Sequence, residues 1–323
     1  MIDFFTIVYK DLTDIEIASI IERNGLQRNS QAGKVYYDNQ KIKNLSQQNG
    51  ILIRIGTAGN LKMEGSLHKY RNEIAGDGRY NYNLFTMSSA KDAVYRLLRE
   101  KGIGAPSLRL TNYEIGVNLH VTKDCRAYLD RMTGIGVLGN KKDIIVNPRY
   151  GDKRERVTEF PDRVRKYYKA YDKGYESREK KRKTLPGGNI LRIETVNRRL
   201  DNCFLVDFFA AENLRKLIDI FFRDWRTLRF ERDIVTPKGT GRARQRLCMD
   251  IMNKGKDAVW ERAKEQHANG SLSEWEYRNI REFICREWDT MKSSVSFIQG
   301  DEEREFRQLL DDTYTLLRND EII

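Results

Sequence analysis

Residues 164–199 read VRKYYKAYDKGYESREKKRKTLPGGNILRIETVNRR. With Arg163 in front, this stretch holds thirteen Lys/Arg against four Asp/Glu, so nine of the chain's twelve excess positive charges fall in about a tenth of its 323 residues. A block of one sign at that density is a landing site for a polyanion. Tyr167, Tyr168, Tyr171 and Tyr175 stand among the cations, and a tyrosine held beside a phosphodiester is a nucleophile as well as a stacking platform. Two local structures are open for residues 163–180. As a strand, joined to 153–159 by a hairpin across Phe160-Pro161-Asp162, it sets Arg165, Tyr167, Lys169 and Tyr171 on one face; as a helix, it brings Tyr167 and Tyr171 one turn apart. After Leu185-Pro186-Gly187-Gly188, a strand over 189–196 buries Leu191 and Ile193 and turns Arg192 and Glu194 to the other side.

Working outward, residues 108–121 alternate most cleanly. Tyr113, Ile115, Val117, Leu119 and Val121 point one way; Glu114, Gly116, Asn118 and His120 point the other. On that second face a carboxylate can hold a divalent cation, and Gly116 beside it leaves room for another group to come close; a solvated side of an antiparallel strand is the plainer reading. Upstream, residues 3–9 are apolar and β-prone and Ile15, Ile17, Ile20 and Ile21 recur at helical spacing, after which 35–37, 51–55 and 61–67 are short strand-like runs separated by Asn/Gly/Gln turns, as in a meander. His68 and Lys69 open a basic, aromatic loop that suits contact with a single strand, or else packs its tyrosines as an ordinary surface loop. Ser88 or Ser89 is expected to cap a helix running to about Lys101, with Val94, Leu97 and Leu98 on one face. Thr122 or Asp124 is expected to cap a short one over 126–132.

Composition bounds the function. A formal charge of +12 and a pI near 9.4 favour nucleic acid over a small-molecule substrate. With 33% charged residues, a mean hydropathy of −0.69 and no run approaching the roughly 18 apolar residues of a spanning helix, a membrane location is not expected. The start MIDFFTIVYK reads as a strand and not as a signal peptide, so a cytoplasmic location is expected. Cys125, Cys203, Cys248 and Cys285 are widely spaced, and reduced, mostly buried thiols are expected. From about residue 207 the composition turns helical, with apolar stripes at Leu214, Leu217, Ile218, Phe221 and Phe222, at Ile280, Phe283, Ile284, Trp288 and Met291, and at Phe306, Leu309, Leu310 and Leu317. Between them Arg242, Arg244 and Arg246 begin two helical segments joined at Asn253-Lys254-Gly255. That spacing admits a helix-turn-helix over 240–266, with a plain helical hairpin the simpler reading.

In their order and spacing these pieces resemble the rolling-circle replication initiators of filamentous phages, the gene II and gene X family, and more distantly the initiators of small staphylococcal-type plasmids. The resemblance is carried by the Met1-Ile2-Asp3 start, by Glu64-Gly65-Ser66-Leu67-His68-Lys69, by Leu110-Thr111-Asn112-Tyr113-Glu114-Ile115-Gly116-Val117-Asn118, by Lys169-Ala170-Tyr171-Asp172-Lys173-Gly174-Tyr175-Glu176 and by Leu191-Arg192-Ile193-Glu194, and it spans roughly residues 1–200. It implies an α+β fold. An antiparallel β-sheet nuclease core with helices packed on it would occupy 1–205, followed by a helical C-terminal domain over 206–323.

The resemblance also implies a chemistry: a nucleophile at Tyr171, with the spacing of Tyr167 leaving open a two-tyrosine exchange, and Mg²⁺ or Mn²⁺ held by Glu114 and Glu194. DNA phosphates would be met by Arg165, Lys169, Lys173 and the run Lys180, Lys181, Arg182 and Lys183, with His68, Lys69, Arg242 and Arg244 as further contacts. The partners implied are single-stranded or melted double-stranded origin DNA and a host helicase. One departure is that many rolling-circle initiators bind metal through a His-hydrophobe-His pair, which His68, His120 and His267 do not form; filamentous-phage initiators lack it too. His120 shares the face of Glu114 but lies about 20 Å along an extended strand, too far to bind the same ion. The implied function is a DNA nickase that starts rolling-circle replication. The alternatives are a non-enzymatic DNA-binding regulator and a mobilisation relaxase using the same chemistry.

Overall fold

Ten strands pair antiparallel throughout in one sheet, in a computed structural model that describes residues 1–39, 50–104, 106–137, 140–147, 154–159, 164–180 and 184–322. In chain order they are β1 (Ile2–Tyr9), β2 (Gln27–Gln31), β3 (Lys34–Asp38), β4 (Leu52–Gly56), β5 (Leu61–Ser66) and β6 (Arg109–Val121). A small separate hairpin, β7 (Met132–Ile135) with β8 (Lys142–Asp143), comes next. The sheet then resumes with β9 (Ile145–Val146), β10 (Glu155–Val157), β11 (Lys166–Asp172) and β12 (Asn189–Asn197). Their order across the sheet is β2-β3-β4-β5-β1-β6-β12-β11-β10-β9. β2 to β5 make the expected meander, and β1 lies between β5 and β6; the long β6 then pairs with β12 over nine positions, from Asn189 opposite Val121 to Asn197 opposite Tyr113.

Residues 160–163, with the expected hairpin turn, lie outside the described residues; over 166–179 the open choice resolves as strand followed by helix. β11 pairs with β10 on one side and β12 on the other, so its backbone groups are consumed by two ladders. At Asp172 the chain turns into helix α5 (Lys173–Glu179), because the Asp172 carboxylate accepts from the Tyr175 amide at 2.9 Å as an N-cap.

The central strands are buried on both faces, with every residue of β12 from Ile190 to Val196 buried. One face is apolar and helix-covered. Tyr113 of β6 packs on Phe208 with ring centres 4.8 Å apart, Trp225 Nε1 donates to Thr195 Oγ1 at 3.2 Å, and Tyr168 of β11 donates to Asp224 at 2.9 Å. Trp225 and Asp224 belong to a helix, Ala211–Arg226, that buries Leu214, Leu217, Ile218, Phe221 and Phe222 as its spacing required. The opposite face carries the charges.

Smaller expectations shift. The helix Met87–Lys101 is capped by Thr86, whose Oγ1 accepts from the Ser89 amide at 3.2 Å, and not by Ser88, whose amide and hydroxyl both donate to Asp320. Asp124 caps Cys125–Leu129. In Asp14–Asn24, Ile20 is buried while Ile15 is 82% exposed. All four cysteines are free thiols, Cys125 and Cys248 buried and Cys285 exposed. Among the described residues no helix is long and apolar enough to cross a membrane.

The chain parts into two compact units, Met1–Leu228 with Phe306–Ile323, and Arg229–Glu305. Residues 206–228 and 306–323, assigned from composition to a C-terminal domain, thus fall in the unit that holds the sheet. There Phe306, Leu310 and Leu317 are buried and Tyr314 packs on Phe222 at 5.2 Å. The second unit is helical, with a core of Cys248, Ile251, Val259, Phe283, Ile284, Trp288 and Val295, and Arg232 clamps the buried Glu303 through two 2.6 Å bonds. Its helices Arg242–Lys254 and Lys256–Ala268 are joined by Gly255 alone, at φ 95°. A one-residue junction is shorter than the three to four residues of a DNA-binding helix-turn-helix.

Candidate active site

The charged face of the sheet is built by strand parity. Glu114, Gly116 and Asn118 on β6, Arg192 and Glu194 on β12, and Tyr167, Lys169 and Tyr171 on β11 project to one side. Register sets their neighbours: Gly116 opposes Glu194, Asn118 opposes Arg192, Lys169 opposes Glu194 and Tyr171 opposes Arg192. Gly116 is required here. A Cβ at that position would stand 2.5 Å from Glu194 Cγ and 2.9 Å from the Ile193 carbonyl oxygen, so only glycine lets the glutamate lie across the strand.

Glu194 is the hub. Lys169 Nζ lies 2.6 Å from its Oε2 and 3.1 Å from Oε2 of Glu114. The Tyr171 hydroxyl donates to Glu194 Oε1 at 3.2 Å, and Arg192 Nε donates to the same oxygen. Arg192 also reaches Asp3 at 2.8 Å, the Asn118 side-chain oxygen at 2.9 Å and the Asn81 carbonyl at 3.0 Å. Asp3 accepts in addition from Ser66 and Asn81. The cluster is almost dry, with side-chain exposures of 1% for Glu194, 2% for Arg192, 18% for Lys169 and 20% for Glu114.

Burial and charge pull these groups apart. Burial alone would raise Glu194, but Lys169 and Arg192 overrule it and hold the carboxyl at about 2. Burial raises Glu114, with Glu194 and Asp3 adding to the shift against Lys169. Burial would likewise lower Lys169, yet Glu114 and Glu194 keep it well above the usual lysine range. Tyr171 is driven well above the ordinary phenol range by burial and then by the adjacent Glu194 carboxylate, against Arg192 and Lys169. At rest the tyrosine is therefore a phenol.

Tyr171 faces a cleft of about 450 Å³, whose lining includes Glu114, Glu155, Tyr167, Lys169 and Arg198. Tyr167 lies on the same strand face, 4% exposed, with Arg198 donating to its hydroxyl at 3.4 Å. Tyr168 points to the opposite face.

The residues expected to bind DNA scatter. Arg165 is exposed and paired with Asp201 at 2.8 Å, and Lys180 is half exposed and paired with Glu176 at 2.5 Å. Lys173 is not a surface cation: it is 2% exposed, bonded to Glu176 at 2.8 Å and set over the Tyr171 ring at 5.6 Å, because the turn into α5 folds its side chain inward. His68 is likewise internal, stacked on Phe85 at 4.4 Å and bonded to Asn83, and burial lowers it to about 3. Lys69 is partly buried, and its charge helps hold Asp3 below the carboxylate range against burial. Arg242 is exposed in the second unit, and Arg244 there is clamped to Glu287 at 2.5 and 2.7 Å. Lys181, Arg182 and Lys183 lie outside the described residues.

Sequence reasoning missed Asp3, Asn118 and Glu155. Glu155 sits directly opposite Tyr171 on β10 and accepts from Asn147 at 2.7 Å. Asp3 figured only in the Met1-Ile2-Asp3 start, and the signal for a role was an acid inside a largely apolar strand.

The donor set suits a hard divalent cation. Glu114 and Glu194 already converge on one cation, the Lys169 ammonium. Among the described residues no group of three His, Cys, Asp or Glu forms an all-protein cage, but Mg²⁺ is commonly held by one or two carboxylates completed by substrate phosphate and water.

No family model matches the chain, and no curated protein matches it. Three solved chains do. One, described as the rolling circle replication initiator protein from Geobacillus stearothermophilus, aligns with a TM-score of 0.37 and 13% identity, covering 76% of this chain and 90% of that one.

Proposed function

We propose that the protein nicks one strand of DNA at a replication origin by tyrosine transesterification and so starts rolling-circle replication. The observation that carries this reading is the setting of Tyr171: the residue lines a cleft, and its hydroxyl is bonded to a buried carboxylate that two cations keep ionised. A strand laid in the cleft would bring its phosphodiester against the Tyr171 oxygen. In the reaction the Tyr171 oxygen forms a bond to phosphorus and the bond from phosphorus to the 3′ oxygen breaks. The phenolic proton is lost to solvent as that bond forms, and the departing 3′ oxygen takes up a proton from water. The products are a 5′-phosphotyrosyl protein and a free 3′-OH primer, and the phosphodiester energy is conserved for a later rejoining step.

The resting phenol has to be made acidic. Glu114 and Glu194 are the residues that would hold Mg²⁺ or Mn²⁺, and such an ion supplies positive charge beside the attacking oxygen and the phosphate. Tyr167, on the same strand face as Tyr171, is the second hydroxyl available for strand exchange.

Incubation with labelled single-stranded origin fragments and Mg²⁺ tests the proposal. A covalent adduct that survives denaturing electrophoresis and maps to Tyr171 is expected. Binding without any adduct would instead favour a DNA-binding regulator.

A further inference from the structure

Lys169 stands where the proposed divalent ion has to go. Its ammonium lies between Glu114 and Glu194, and the position is built in: β11 pairs Lys169 with Glu194, and β12 pairs Glu194 with Gly116, whose bare Cα lets the glutamate lie over. The remaining oxygen of Glu194 is taken up by Arg192 and Tyr171. An ammonium and a divalent cation cannot share two carboxylates at this spacing, because like charges in a dry site repel strongly.

We propose that Lys169 is a resident competitor for the metal: a divalent cation takes the Glu114–Glu194 pair only as the ammonium leaves, and the released ammonium then serves as a phosphate contact beside Tyr171. The proposal rests on the metal part of the function proposed above. The geometry favours the second role, since Lys169 precedes Tyr171 by two residues on one strand face, with Nζ 5.8 Å from the tyrosine ring centre. Apparent metal affinity is then the intrinsic affinity of the carboxylate pair reduced by the fraction of time that Lys169 is out of the way. A phosphodiester that gives the ammonium a new partner raises metal affinity, and by reciprocity metal raises affinity for the strand.

Two measurements with Mn²⁺ as the probe test this. In the unmodified protein, acylation of Lys169 by an amine-reactive ester, followed by peptide mass spectrometry, is expected to quicken several-fold at saturating Mn²⁺. Unchanged or slower labelling would overturn the proposal. In Lys169→Met, Mn²⁺ affinity measured by calorimetry or electron paramagnetic resonance is expected to rise about tenfold or more, and adding Glu114→Gln to that variant should abolish the gain. Affinity that fails to rise, or a gain that survives Glu114→Gln, counts against it. Neither readout involves strand cleavage. A protein that exchanges Lys169 for Mn²⁺ but never forms a Tyr171 adduct would defeat the nicking reading and leave this one standing.

Discussion

Tyr171, Glu114 and Glu194 lie within one hydrogen-bonded cluster yet should respond differently to substitution. Tyr171→Phe removes only the nucleophilic oxygen and is expected to abolish adduct formation while leaving DNA affinity within about twofold of the parent; a filter-binding titration alongside the adduct assay checks both halves. Glu114→Gln should abolish Mn²⁺-dependent nicking with little loss of stability, since burial already disfavours the charged form of Glu114. Glu194→Gln is the structural counterpart. It takes from Lys169 and Arg192 the carboxylate they share, leaving them Glu114 and Asp3 in a dry site, and should cost about 3 kcal/mol in urea unfolding. The acid limb follows from the same residue. A carboxyl whose folded value is depressed to about 2 from 4.5 contributes stability that is complete above the unfolded value and fades as pH falls through the folded one. Unfolding midpoints should therefore drop between about pH 4.5 and 2 in the parent and less steeply in Glu194→Gln.

The long central strands were legible because their apolar positions alternate, whereas β2, with the sequence QRNSQ, has no apolar residue to alternate and was not expected. Residues 108–121 and 189–196 gave both the elements and the faces on which Glu114, Arg192 and Glu194 lie, and Gly116 announced a close approach that turns out to be Glu194. Residues 163–180 were ambiguous for a physical reason: Tyr167 and Tyr171, four apart, satisfy a two-residue and a near-helical period alike, and only ladder pairing with β10 and β12 settles it. Gly116→Ala tests the element directly. The added methyl must displace Glu194 or the Ile193 carbonyl, so a loss of about 1–3 kcal/mol is expected, together with slower nicking because the hub of the cluster moves. Chemical denaturation and an adduct time course report the two effects separately.

For the whole molecule, composition placed a boundary near residue 205, where helical periodicity begins, but contacts keep 206–228 and 306–323 with the sheet. Truncation after Glu305 should therefore destabilise the sheet-bearing unit. It strips away the buried Phe306, Leu310 and Leu317, each worth about 1.5–3 kcal/mol, against a total stability of order 5–15 kcal/mol. It also removes the Arg226–Asp311 pair at 2.9 Å and the Asp320 acceptor of the Ser88 amide. A melting temperature unchanged by the truncation would contradict this. The charge excess is a property of the same scale. If the basic run meets phosphates, replacing Lys180, Lys181, Arg182 and Lys183 with Gln should flatten the salt dependence of binding, by roughly 0.9 in log–log slope for each duplex phosphate no longer neutralised.

What the chain's own order of residues determined was periodicity and charge: that the cleanly alternating segments are strands, which side of each of those strands carries acids or bases, and where the excess of Lys and Arg lies. Those are local properties, set by the two-residue and 3.6-residue repeats of the backbone. The tertiary structure alone decided who meets whom. Asp3 and Arg192 are 189 residues apart and Lys169 and Glu114 are 55 apart, and their meeting depends on strand register, in which a slip of one residue would send every side chain to the other face. The same register draws Lys169 between two carboxylates, and the turn after β11 sends Lys173 inward, so that neighbouring lysines of one basic stretch end as a buried counter-ion, a helix-packing group and a half-exposed cation.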